Sequence, residues 1–158
     1  MRGTPASSKA SRLGEIGLDN FAPYLMNRIM GRYNADLRQQ TAAIGLTTPQ
    51  MRALAVLSVV DWLLIRDLAV YAVVELSTLS RALDQLEEQG LLRRVPDSSD
   101  NRATRISITP AGREAFETLW PTMARAYEQL FENISDSERQ AIVGTLQKIL
   151  GNIRIHDF

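Results

Sequence analysis

The fold is decided by the stretch Glu75–Gly112, ELSTLSRALDQLEEQGLLRRVPDSSDNRATRISITPAG. Leu76, Leu79, Leu83 and Leu86 recur at helical spacing and form one apolar stripe. That periodicity predicts a helix over Glu75–Gln89 with Leu76 read as core, and Gly90 supplies the residue preferred just past a helix end. Two strands follow, Leu91–Val95 and Thr104–Ile108. In the second, Ile106 and Ile108 fall on one face and Arg105 and Ser107 on the other, as an alternating strand requires. Between them Pro96-Asp97-Ser98-Ser99-Asp100-Asn101 is a run of turn formers, so the pair reads as a hairpin with a protruding tip. Thr109-Pro110 then restarts helix as N-cap and first helical residue.

Upstream, Phe21, Leu25, Ile29, Tyr33 and Leu37 recur every four residues. They predict an amphipathic helix from Phe21 to about Ala43, closed near Gly45. Thr47 and Gln50 have the spacing of a capping box and open a second helix to about Val60. Leu63-Leu64-Ile65 is a short β-like run, and Arg66 to Ala72 reads as a third helix. Val73-Val74 joins it to the leucine-striped helix without turn residues. Downstream of Pro110 the helix extends to about Asn133. Pro121 inside it cannot donate to the carbonyl of Glu117, so a kink is expected there. Ser135 and Glu138 form a second capping box before a last helix carrying Ile142, Leu146, Ile149, Leu150 and Ile153.

Three helices, a short strand among them, then a striped helix and a hairpin: this is the order of a winged helix-turn-helix. The fold class is mainly α with a small β-hairpin wing. Residues 46–109 form the winged helix-turn-helix region, 19–45 and 110–158 a helical dimerisation region, and 1–18 a mobile N-terminal tail. The polar first turns of the striped helix carry Ser77, Thr78, Ser80 and Arg81, short donors and one forked donor suited to phosphates and base edges in a major groove. Asp84, Glu87 and Glu88 further along would repel phosphate. Arg94, Arg102 and Arg105 surround the hairpin tip, where they can reach a neighbouring backbone or minor groove. A solvated polar helix face would look the same, and Asp100 is either a turn former or the group that orients Arg102. The end helices hold more apolar residues than a small winged domain can bury, which favours a homodimer over packing on their own chain.

The 158 residues include 18 basic and 18 acidic side chains, for a formal charge of zero, with 45% hydrophobic and 23% charged residues. Zero charge alone argues against nucleic acid, but the distribution reverses the argument. Residues 1–60 carry seven bases against three acids, and 91–113 carry five against two, while 61–90 and 114–158 are net acidic. Only Lys9 and Lys148 among the bases are lysines. Arginine suits phosphate and narrow minor grooves, although a GC-rich genome produces the same bias. No cysteine is present, which excludes disulfides, thiolate metal sites and thiol chemistry. The single histidine, His156, excludes multi-histidine metal sites and leaves no catalytic constellation, so no enzyme and no cofactor are expected. A carboxylate-only metal site stays open. No apolar run reaches the roughly 18 residues that span a bilayer and the start has no signal-like core, so a cytoplasmic protein without membrane partners is expected.

Four segments resemble the MarR family of bacterial transcriptional regulators. Gly45-Leu46-Thr47-Thr48-Pro49-Gln50 with Leu54 and Leu57 is similar to the family's way into its second helix. Leu68-Ala69, Ser77–Arg81 and Leu86–Arg94 resemble its recognition helix and first wing strand. Pro96-Asp97 with Asp100-Asn101-Arg102 matches its wing, and ISITPAG (Ile106–Gly112) its closing strand. The resemblance covers roughly residues 20 to 155. It implies an intertwined homodimer on a palindromic duplex, a repressor released by a small and often aromatic ligand. It also implies DNA contact by Ser77, Thr78, Arg81, Arg94 and Arg102, with Asp100 aligning Arg102. Met30, Tyr33, Trp62 and Trp120 are candidate lining for the ligand cleft, although such residues at helical spacing also serve as core. Two positions depart from the family: Val73 stands where a glycine is common, and Leu76 where a polar base-contacting residue is common. A thymine-methyl contact is the alternative reading of Leu76. A winged-helix protein-interaction module without DNA binding is the alternative for the whole chain.

Overall fold

The computed structural model describes residues 12–156 and 158. Most of the proposed N-terminal tail therefore lies outside the described residues. Its last part is a four-residue helix, α1 (Leu13–Ile16), followed by a 3-10 turn at Leu18–Asn20. The remaining elements are α2 (Ala22–Ala42), α3 (Thr48–Val59), β1 (Leu63–Leu64), α4 (Ile65–Ala72), α5 (Leu76–Glu88), β2 (Leu92–Pro96), β3 (Thr104–Ile108), α6 (Pro110–Leu130) and α7 (Asp136–Ile153). The three strands form one antiparallel sheet in the order β1-β3-β2.

The boundaries follow local chemistry. Gly45 has φ +76 and carries the chain out of α2. The Thr47 hydroxyl accepts from the Gln50 amide, and the Gln50 side chain accepts from the Thr47 amide at 2.9 Å, closing the capping box. Gly90 ends α5 with φ +72. The Thr109 hydroxyl accepts from the Gly112 amide and donates to the Gly90 carbonyl, so one side chain caps α6 and ties it to the end of α5. The Ser135–Glu138 box opens α7. Helix α6 runs on through Pro121.

Two apolar clusters hold the chain. The larger gathers Leu54 and Leu57 of α3, Leu68 of α4, Leu79, Leu83 and Leu86 of α5, and Leu92, Ile106 and Ile108 of the sheet. It presses α5 against the sheet and the two preceding helices, which fixes α5 relative to the wing. The second joins α2, α3 and α6 through Leu37, Met51, Leu119 and Ala126. Leu76 is a correction to the stripe. It is 49% exposed, because the first turn of α5 projects beyond the cluster that buries Leu79. Helix α7 has no buried residue, and Ile142, Val143, Leu146, Ile149, Leu150 and Ile153 are all exposed. It is held to α6 by Arg139, which pairs with Glu128 at 3.0 Å and lies over the rings of Tyr127 and Phe131.

The turn between α4 and α5 places Val73 in the left-handed region, φ 53 and ψ 52. A β-branched residue rarely adopts that conformation. The chain thus keeps the turn that a glycine would make, with a residue that resists it.

Candidate nucleic-acid interface

Ser77, Thr78 and Arg81 are exposed on the first turns of α5, and Ser80 is half-buried. Among the described residues the Arg81 guanidinium has no hydrogen-bond or ion-pair partner. Behind this edge, the Gln50 amide donates to Gln85 at 2.8 Å and braces α3 against α5.

The predicted wing arginines divide into three roles. Arg94 is committed to α5. Its guanidinium pairs with Asp84 at 2.7 Å and with Glu87, and its backbone amide donates to Glu87 at 3.0 Å. This clamp binds β2 to the helix and partly neutralises two of the carboxylates expected to repel phosphate. Arg105 is committed to the wing base. It pairs with Asp97 and donates to the Trp62 carbonyl at 2.7 Å. Arg102 stands at the tip, exposed, and its guanidinium has no partner among the described residues.

Asp97, which sequence reading left as a turn former, organises the tip. One carboxylate oxygen accepts from the Ser99 hydroxyl, the Ser99 amide at 2.8 Å and the Asp100 amide at 3.1 Å, while the other takes Arg105. The Ser99 hydrogen bonds, with Arg105 beside them, hold the Asp97 carboxyl far below the usual carboxylate range. Asp100 accepts from the backbone amide of Arg102 at 2.9 Å. It shapes the turn on which Arg102 sits and makes no bond to the guanidinium, so Asp100 acts on the chain rather than on the side chain it was expected to align.

Asp61 also escaped the sequence reading. It accepts from the Trp62 amide at 2.9 Å, the Ile108 amide at 3.0 Å and the Ser107 hydroxyl at 3.2 Å, with Arg113 at 3.6 Å. It locks the approach to β1 to the end of β3 and the start of α6. Nothing in local spacing marks it, since all its partners except Trp62 lie 46 or more residues away. A hollow of about 570 Å³ between α4 and the wing brings Arg66, Arg102 and Arg105 to one rim.

The four candidate ligand residues do not converge. Met30 and Tyr33 line a cavity of about 450 Å³ together with Leu37, Met51, Tyr71 and Met123. Trp120 lines an adjoining groove of about 590 Å³ with Val59 and Phe116, which shares Ala55 and Met123 with that cavity. Trp62 lies just before β1 beneath Arg93, whose guanidinium is 5.5 Å from its ring centre. Burial pushes the Tyr33 hydroxyl above its usual range. Among the described residues that line the cavity, one side chain is charged, Arg52. Its guanidinium donates to the Val73 carbonyl at 3.1 Å and to Asn34 Oδ1 at 3.2 Å. Among the described residues no three metal-ligating side chains cluster, and no helix is long and apolar enough to cross a membrane.

The molecule most telling for comparison is a MarR-family transcriptional regulator from Silicibacter pomeroyi. It is 53% identical, superposes with a TM-score of 0.89, and the match covers 94% of this chain and 100% of that one. The chain belongs to the MarR family of transcriptional regulators. The family's sequence pattern matches residues 44–103, which span α3 through the wing tip. MarR-family regulators are not enzymes. The HTH-type transcriptional repressor IacR of Pseudomonas putida is 24% identical over 139 residues, 88% of this chain and 83% of the relative. BpsR of Bordetella bronchiseptica, whose DNA binding is regulated by 6-hydroxynicotinic acid, is 25% identical. It superposes with a TM-score of 0.71 over 81% of this chain and 97% of that one. Within this MarR-family winged-helix fold, β2–β3 form the wing and α5 is the helix that precedes it.

Proposed function

We propose that this MarR-family regulator is a cytoplasmic homodimeric repressor that binds a palindromic DNA operator and is released by a small aromatic ligand. The observation that carries the reading is the division of labour among the arginines. Arg94 and Arg105 are spent on fixing the wing, whereas Arg81 and Arg102 are exposed and unpaired among the described residues. Ser77, Thr78, Ser80 and Arg81 then contact the major groove and Arg102 the minor groove, with Arg94, Asp100 and Arg105 holding the wing. Repression and ligand release are supported by the likeness to IacR and BpsR. The exposed apolar face of α7 supports pairing of two chains, which places two α5 helices on two half-sites.

The test is a gel shift on the duplex upstream of the protein's own gene, with random duplex as competitor. A specific complex with a symmetric footprint is expected, and Arg81→Ala should lower its affinity or change its sequence preference. Equal binding of specific and random duplex, unchanged by Arg81→Ala, would contradict the recognition-helix assignment and favour a protein-interaction module.

A further inference from the structure

We infer that Leu76 reads a thymine: at the start of α5 its side chain packs on the 5-methyl group of one thymine in each half-site of the duplex. This rests on the DNA-binding reading above and adds an apolar base contact to the polar ones named there.

Leu76 belongs to the leucine stripe, yet the core of the winged region takes Leu79, Leu83 and Leu86 and leaves Leu76 out. Three residues along an α-helix turn about 300°, so Leu76 lies about 60° from the direction of Leu79 and about 100° from that of Ser77. It therefore borders the exposed edge of Ser77, Thr78 and Arg81, one turn before the core begins. It is not isolated. Val70 and Val73 are exposed beside it, and the three line a hollow of about 380 Å³ at the turn between α4 and α5. Among the described residues that line this hollow, the one charged side chain is Glu75. A carboxylate repels phosphate, so the patch suits a base edge and not the DNA backbone. In the major groove an unmodified base pair presents one apolar group, the thymine methyl. An apolar side chain beside the groove-facing polar edge has that methyl as its complement. An adenine or cytosine amino group under the same leucine would lose water without gaining a partner, so the contact selects as well as binds.

The experiment pairs substitutions in the protein with single-group changes in the duplex upstream of its own gene. Each thymine within the footprint is replaced in turn by deoxyuridine, which removes the 5-methyl group and nothing else. Affinity is read by fluorescence anisotropy for the full-length wild type, Leu76→Ala and Leu76→Met. Wild type is expected to lose about fourfold in affinity for each methyl removed at one symmetry-related pair of thymines, the worth of one buried methyl. Leu76→Ala should bind the unmodified duplex more weakly and respond at that pair by less than about twofold. At every other thymine the two proteins should respond alike. Leu76→Met keeps the apolar reach and should retain most of the response, which a merely structural role for Leu76 would not produce. All three proteins should keep the same circular dichroism and sedimentation, because Leu76 lies outside the core. Specific binding in which no thymine shows a methyl response that depends on Leu76 overturns the thymine contact. Loss of the dimer in Leu76→Ala also overturns it, and makes the patch a contact between chains. A wild type that binds upstream and random duplex equally contradicts the proposed function itself, and the thymine contact falls with it. The comparison of upstream with random duplex thus tells the two failures apart.

Discussion

Asp97 shows how one carboxylate sets the presentation of another residue's charge. Its bonds to Ser99, Asp100 and Arg105 give the wing tip a fixed shape, and Arg102 projects from that shape. Its folded-state pKa lies below the unfolded value of about 3.9, so the folded wing binds fewer protons than the unfolded chain in acid. The stabilisation is complete above about pH 4 and is lost as the pH falls through the lower folded value. The amide resonances of Ser99 and Asp100 should hold constant between neutrality and about pH 5 and shift together in stronger acid. In Asp97→Asn the wing should be disordered or displaced already at neutral pH, with the acid step gone. An Asp97 variant whose tip resonances match wild type at neutral pH would contradict this role. In the sequence Asp97 reads as a turn former within a wing-like motif and not as the organiser of the tip, because a side chain's acceptance of three amides and hydroxyls depends on how the loop folds back.

Among the elements, the junction of β2, β3 and α6 is the most tightly built. A Cβ added at Gly112 would lie 2.0 Å from the Leu91 carbonyl oxygen and 2.8 Å from the Ile108 side chain. Gly112→Ala should therefore destabilise the fold by about 1–3 kcal/mol or more, measured as a lowered urea midpoint, because backbone must move. A variant as stable as wild type would show that the junction is looser than these distances. The element pattern itself was legible. Capping boxes at Thr47 and Ser135, Gly90, and the alternation at Ile106 and Ile108 are local signals, and each marks an element that the structure contains. What was not legible depends on distant packing. Arg94 looked like a tip arginine, but β2 returns along α5 and delivers it to Asp84 and Glu87. Leu76 fitted the stripe, but the stripe outruns the core by one turn. The four ligand candidates were chosen by residue type; Met30 and Tyr33 share one cavity, Trp120 lines the groove that adjoins it, and Trp62 lies under Arg93 beside the sheet.

At the scale of the whole molecule, zero net charge conceals an arrangement. The wing segment is basic, while much of the acid lies on α5 and the C-terminal helices. Part of the α5 acid is neutralised by Arg94. Non-specific attraction to DNA should then be modest, and selectivity must come from pairing two chains. In the proposed homodimer, the exposed apolar face of α7 supplies the surface for that pairing. Leu146→Asp combined with Ile149→Asp should shift the protein from dimer to monomer in sedimentation and weaken operator binding, while the circular dichroism of the winged region persists. Neither side chain is buried within its own chain, so the fold of the protomer has little to lose. A double variant that stays dimeric would move the interface elsewhere.

In the proposed function, the regulator reads DNA with a wing arginine left free by its neighbours. The direct measurement is a salt titration of binding to the upstream duplex by fluorescence anisotropy, comparing wild type with Arg102→Ala. Loss of one phosphate-region contact per protomer should lower the slope of log affinity against log salt by about 1 for each chain bound, with affinity reduced and the dimer intact. Identical affinity and identical slope for the two proteins would show that Arg102 does not contact the duplex.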